Sequence, residues 1–100
     1  KRLDTIKIAI FTLLKNKPEL MKKAEGVFSL LNSEFMCEFD ASGNIGKSYR
    51  RQDEIGTPYC VTIDFESLED DSVTVRDRDT MAQERISLDN LLDYFTNKLK

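Results

Sequence analysis

Residues 41–48, ASGNIGKS, are the stretch whose residue types and spacing come closest to phosphate chemistry. Gly46-Lys47-Ser48 is how a P-loop ends, with backbone N–H groups wrapping phosphates and the hydroxyl meeting magnesium. Further on, YCVTID ends an apolar strand in an acid, Asp64, that could serve as the magnesium-side partner. Three features oppose nucleotide binding. Ala41 stands where the first glycine belongs and puts a Cβ where backbone must approach closely. Asp40, at the end of a short strand, would face the triphosphate. The segment that follows is too polar for the packed helix of a P-loop. The P-loop spacing is therefore read as coincidence.

The following segment, Ile45 to Ile55, offers a different chemistry. At 100° per residue Ile45, Tyr49 and Gln52 fall on one face of a helix, and Lys47, Arg50 and Arg51 on the opposite one, with Glu54 among them. One narrow face can dock on a sheet while three cations point at solvent. Such a run is either a solvated charged face or a phosphate-contacting helix, since Arg and Lys around a Tyr suit a nucleic-acid backbone and a stacked base. Asp53 and Glu54 are expected to brace Arg50 and Arg51 as i,i+3 or i,i+4 pairs.

The elements that must position this helix follow from periodicity. Ile6, Ile8 and Ile10, with Ala9 and Phe11 between, predict a strand buried on both faces. Pro18 fits a first helical position, and Leu20, Ala24, Val27, Phe28, Leu31 and Phe35 form a helical stripe. A short strand, Met36 to Phe39, comes next, and a third is expected over Tyr59 to Phe65. Glu66 to Asp71 reads as a charged turn. Val73 and Val75 alternate with Thr74 and Arg76, a turn falls near Arg78 to Thr80, and a fifth strand ends around Ile86. Ser87 can cap a last helix with Leu88, Leu91, Leu92, Phe95 and Leu99 on its buried face. The fold class is α/β: a three-layer α/β/α arrangement of a mixed five-stranded sheet, the fourth strand antiparallel, and three helices.

The totals set outer bounds. One hundred residues make a single domain, 1–100, with one modest core. A net charge of -3 means that any polyanion site must be local. Histidine is absent, which removes the usual general base near neutral pH and the commonest transition-metal ligand. Cys37 and Cys60 stand apart without CxxC pairing and read as buried, reduced thiols, in keeping with a cytoplasmic protein. The acid pair Asp70-Asp71 has no spaced third ligand, so no metal is expected there. No run approaches the roughly 18 apolar residues of a membrane span. The chain opens Lys-Arg-Leu without methionine and reads as a piece of something longer.

GNIGKSYRRQDEIGTPYCVTIDF followed by VTVRDRDTMAQERI closely resembles the carboxyl-terminal anticodon-binding domain of the dimeric, class II glycyl-tRNA synthetases. The resemblance runs from about Ile6 to Phe95. YRRQDEIGTP, VTIDF and VRDRDTM are its most specific motifs. One departure is Lys47-Ser48, where the family commonly has two arginines before the tyrosine. The resemblance implies the same five-strand, three-helix architecture and a domain that holds the anticodon loop of glycine tRNA. It also implies a catalytic domain of the same chain, using ATP and magnesium, in a homodimeric parent. None of those catalytic motifs is recognisable in these residues, and no cofactor is expected in this domain. A non-catalytic accessory module with the same fold, binding other nucleic acid or protein, is the alternative.

Glycine anticodons end in two cytosines, whose N4 amino group can donate to a carboxylate while N3 and O2 accept from Arg or Lys. The resemblance therefore places Asp64, Phe65, Thr62 and Lys47 at the bases, and Arg50 and Arg51 on the phosphates. Arg76 belongs to the VRDRD motif, through which the resemblance implies an RNA-binding role for it, and it shares a strand face with Thr74. The antiparallel step, however, carries it toward the rim opposite Asp64, and Asp77, Arg78 and Asp79 are expected to form a salt-bridged turn.

Overall fold

The computed structural model describes residues 6–13, 16–40 and 44–99. In chain order it contains β1 (Ile8–Thr12), α1 (Pro18–Asn32), β2 (Cys37–Asp40), α2 (Ile45–Ile55), β3 (Tyr59–Ile63), α3 (Phe65–Asp70), β4 (Ser72–Asp77), β5 (Gln83–Ser87) and α4 (Leu88–Leu99). One sheet runs β2-β1-β3-β4-β5. β1 is parallel to both β2 and β3, and β4 is antiparallel to β3 and β5. This is the mixed sheet, with the fourth strand reversed, that periodicity predicts.

All five residues of β1 are buried, so the central strand is sandwiched as its unbroken apolar run requires. On one face Ile8, Ile10, Val61, Ile63, Val73 and Val75 meet Leu20, Ala24, Val27 and Leu31 of α1 and Leu91 and Phe95 of α4. Each Val, Leu, Ile or Phe among them contributes roughly 1.5–3 kcal/mol when fully withdrawn from water. Pro18 opens α1. Ser87 accepts the Asp89 N–H at 3.2 Å and so caps α4, as its position suggests. On the other face Ala9, Phe11 and Cys60 form a smaller apolar patch that receives Ile45 and Tyr49 of α2.

α2 has the bounds its sequence marks. Asn44 accepts the Lys47 N–H at 3.0 Å at the start. Gly56, at φ +84, ends the helix in the left-handed region that a Cβ disfavours, and the Thr57 N–H returns to the Gln52 carbonyl at 3.0 Å.

The charged turn expected over Glu66 to Asp71 is instead a fourth, short helix, and β3 stops two residues earlier than Phe65. Asp64 takes the Ser67 N–H at 3.1 Å, while the Asp64 N–H donates to Ser67 Oγ at 3.1 Å. This reciprocal box starts α3 in place of two more strand residues. Residues 41–43 of the loop before α2, and Leu14 of the first apolar run, lie outside the described residues.

Candidate nucleic-acid interface

Strand pairing sorts the polar residues onto the α2 side of the sheet. Ala9 pairs with Glu38 and Cys60, and Phe11 with Asp40 and Thr62. Cys60 pairs with Arg76, Thr62 with Thr74, Thr74 with Arg85, and Arg76 with Gln83. α2 packs on β1, with the Tyr49 ring edge-on to Phe11 at 5.1 Å. Beside it, on β4 and β5, Thr74 is half-buried and Gln83 and Arg85 are exposed. The result is a polar half-face of hydroxyl, amide and guanidinium groups flanked by a cationic helix.

Of the three α2 cations, Lys47 and Arg50 are exposed and make no side-chain hydrogen bond or ion pair to a described residue. Arg51 is anchored back to the sheet, with Nη1 at 2.9 Å from Glu38 and 3.3 Å from Asp40. Asp53 does not brace Arg50 or Arg51; it pairs with Arg76 at 3.3 Å. The physical reason is placement, because Asp53 lies one turn after Tyr49 on the flank of α2 that overlooks β4.

Arg76 is only 7% exposed, and its guanidinium carbon stacks 4.7 Å from the Tyr49 ring centre. Its Nη2 lies 3.1 Å from the sulfur of Met81. Thr62 is buried as well, its hydroxyl 2.6 Å from the Tyr49 hydroxyl. Burial pushes the Tyr49 phenol up from its ordinary pKa, and the Thr62 bond opposes that shift. Arg78 pairs with Asp79 at 3.2 Å while Asp77 accepts the Asp79 and Thr80 N–H groups, which makes the salt-bridged turn expected there.

Asp64 and Phe65 stand at the carboxyl end of β3. Phe65 is 45% exposed. The Asp64 carboxylate caps α3 and is also held by Arg85, whose Nη1 lies 3.0 Å from Oδ2 and 3.2 Å from Oδ1. No hydrogen bond or ion pair joins Lys47 to Asp64. The structure thus gathers Thr62 and Arg76 around Tyr49, and joins Asp64 to Arg85, with Phe65 exposed beside Asp64 at the start of α3.

Arg85 is the site residue that sequence reasoning misses. A signal exists: Gln83 and Arg85 alternate with Glu84 and Ile86, so an edge strand packed through Ile86 must turn Arg85 to the α2 side.

The P-loop spacing fails on geometry. The Lys47 amide is taken by Asn44, and Ser48 is buried at 3% exposure. Asp70 is bonded by the Ser72 hydroxyl at 2.6 Å, which holds its carboxyl below the usual range, and Asp71 pairs with Lys23. Cys37 and Cys60 are buried free thiols. Burial pushes Cys37 to about 11 and Cys60 to about 12. Among the described residues no helix is long and apolar enough to cross a membrane.

A parallel β2-β1-β3 core extended by antiparallel β4 and β5, with α2 on one face and α1 and α4 on the other, defines a three-layer α/β module. The chain belongs to the anticodon binding domain family, which matches residues 7–98. It is 53% identical to the glycine–tRNA ligase of Streptomyces coelicolor over 98% of this chain, and 56% identical to that of Lachnospira eligens over 95%. It spans only about a fifth of those relatives, 21% and 20% of their lengths. The RNA binding domain of threonyl-tRNA synthetase from Cryptosporidium parvum superposes with a TM-score of 0.83 at 25% identity, over 93% of this chain and 23% of that one. Prolyl-tRNA synthetase from the same organism, complexed with L-proline and AMP, gives 0.86 at 20% identity over 94% of this chain and 20% of that one, a likeness of fold.

Proposed function

We propose that this chain is the anticodon-binding domain of a glycine–tRNA ligase, and that it holds and reads the anticodon loop of glycine tRNA. The observation that carries this is the half-open polar face of β4 and β5 lying beside α2. Hydrogen-bonding groups for bases sit there next to cations for phosphates, and single-stranded loop bases are read in that way. High identity to glycine–tRNA ligases along almost the whole chain supports glycine tRNA as the partner.

Lys47 and Arg50, exposed and unpaired among the described residues, contact the phosphates. Phe65 stacks a base, and Asp64 accepts from a cytosine amino group while it repels the O4 of uracil. Arg51, Arg76 and Thr62 hold α2 against the sheet and fix the height of its cations. Joining glycine to tRNA, with ATP and magnesium, belongs to a catalytic domain outside these residues. The parent acts as a cytoplasmic homodimer.

The test is an NMR titration with a glycine anticodon stem-loop. Shifts at Asp64 and Phe65 that fade when both cytosines become uracils are expected, with those at Lys47 and Arg50 retained. Equal shifts with both loops would leave a backbone-binding surface without base reading. Shifts on adding magnesium-ATP at residues 44–48 would return the P-loop reading.

A further inference from the structure

Resting on the base-reading role of Asp64 above, we propose that Arg85 is the positioning residue of that carboxylate. Arg85 sets which Asp64 oxygen faces the cytosine, and so sets the preference for cytosine over uracil. Arg85 lies on β5, opposite Thr74 of β4. Its Nη1 donates to Asp64 and, at 3.0 Å, to Thr74 Oγ1. Its Nη2 donates to Ser72 Oγ at 2.6 Å and to Asp70 at 3.4 Å. Glu66 stands 3.9 Å away. All four terminal N–H bonds are therefore directed at protein acceptors, and the planar guanidinium is locked across the β3–α3 junction, the end of α3 and β4.

Three carboxylates, Asp64, Glu66 and Asp70, converge on this one cation. Without it they repel one another, and Asp64 is held through Oδ1 alone, by Ser67. With it, the two Asp64 oxygens are unequal. Oδ1 accepts from the Ser67 N–H and hydroxyl, both at 3.1 Å, as well as from Arg85. Oδ2 has Arg85 as its one hydrogen-bond partner among the described residues. Oδ2 thus keeps lone-pair capacity for an incoming amino group, and its direction is fixed by the guanidinium. A site built to pair a donor rejects a base that presents an acceptor at the same place, because two acceptors would face each other unpaired.

The experiment measures dissociation constants for two stem-loops, one with both anticodon cytosines and one with uracils there. The chains compared are the unaltered one, Arg85→Met, Arg85→Gln, Arg85→Lys and Asp64→Asn, each checked for a cooperative melt. Both neutral variants should lose at least tenfold of the cytosine-to-uracil ratio, with affinity for the uracil loop changed less than twofold. Arg85→Lys, which keeps the charge but not the fork, should recover part of that ratio. A wild-type ratio in either folded neutral variant overturns the proposal. Equal weakening for both loops also overturns it, marking Arg85 as merely structural. Asp64→Asn separates the two claims. If it leaves the ratio intact, the base-reading role of Asp64 has failed; if it collapses the ratio while Arg85→Met does not, only the positioning role has.

Discussion

The guanidinium of Arg76 lies over the Tyr49 ring at 4.7 Å and its Nη1 reaches Asp53 at 3.3 Å, so one strand side chain grips α2 at two points a single turn apart. Tyr49 in turn bonds Thr62 of the neighbouring strand at 2.6 Å. The pose of the cationic helix over the sheet is therefore fixed from the sheet side by Arg76 and Thr62, which are themselves buried. These are residues that a count of surface charges would assign to RNA.

Arg76→Met should lower stability by about 1–2 kcal/mol, from the lost stack and from Asp53 left partly exposed without its partner. Urea unfolding measures this. Because Arg76 is buried, the variant should lose RNA affinity through displacement of α2, with the salt dependence of binding unchanged. A flatter salt slope would mean that Arg76 meets a phosphate directly.

Arg50 and Arg51 are neighbours with different duties. Arg50→Ala should leave the melting temperature unchanged and reduce the salt slope of stem-loop binding by roughly 0.7, the value for one phosphate contact on a single strand. Arg51→Ala should cost about 0.5–1 kcal/mol of stability, because its bonds to Glu38 and Asp40 are partly exposed, and should change the slope less. Thermal melts beside anisotropy titrations over a salt series decide the pair.

Alkaline pH should loosen the fold in a way traceable to the thiols. Burial raises Cys37 from 9.0 to about 11 and Cys60 from 9.0 to about 12. Above pH 9 the unfolded thiols lose protons that the folded ones keep. Stability is therefore full below pH 9 and falls as pH rises toward the folded values. Tyr49, Tyr59 and Tyr94 are raised too and add the same sign above pH 10. Urea midpoints from pH 7 to pH 10.5 should decline, and less steeply in Cys37→Ala with Cys60→Ala. An equal decline in that double variant would assign the effect to other groups.

Much of the architecture is legible because local rules agree with the packing. The unbroken run Ile8 to Phe11 forces a two-sided burial, the α1 stripe repeats at helical spacing, and Asn44 and Gly56 bracket α2 by cap chemistry. α3 is not legible. Its six residues carry no apolar stripe, and its start depends on Ser67 answering Asp64, which resembles any acidic turn until the hydrogen bonds are seen. In the site, the outward direction of Lys47 and Arg50 follows from helical angle alone. The partners of Asp53, Arg76 and Arg85 do not, because each lies 21 or 23 residues away in sequence and is set by strand register and sheet twist. Arg85 shows the consequence most plainly. Its alternation gives the face, but only the β4–β5 pairing brings it onto Asp64.

The most direct measurement is the ratio of dissociation constants for the glycine anticodon stem-loop and for the same stem-loop with both cytosines replaced by uracil, at one fixed salt concentration. A reader of cytosine through Asp64 and Phe65 binds the cytosine loop at least tenfold more tightly, about 1.4 kcal/mol. Equal affinities would contradict the account, leaving these residues a backbone grip with anticodon identity read elsewhere.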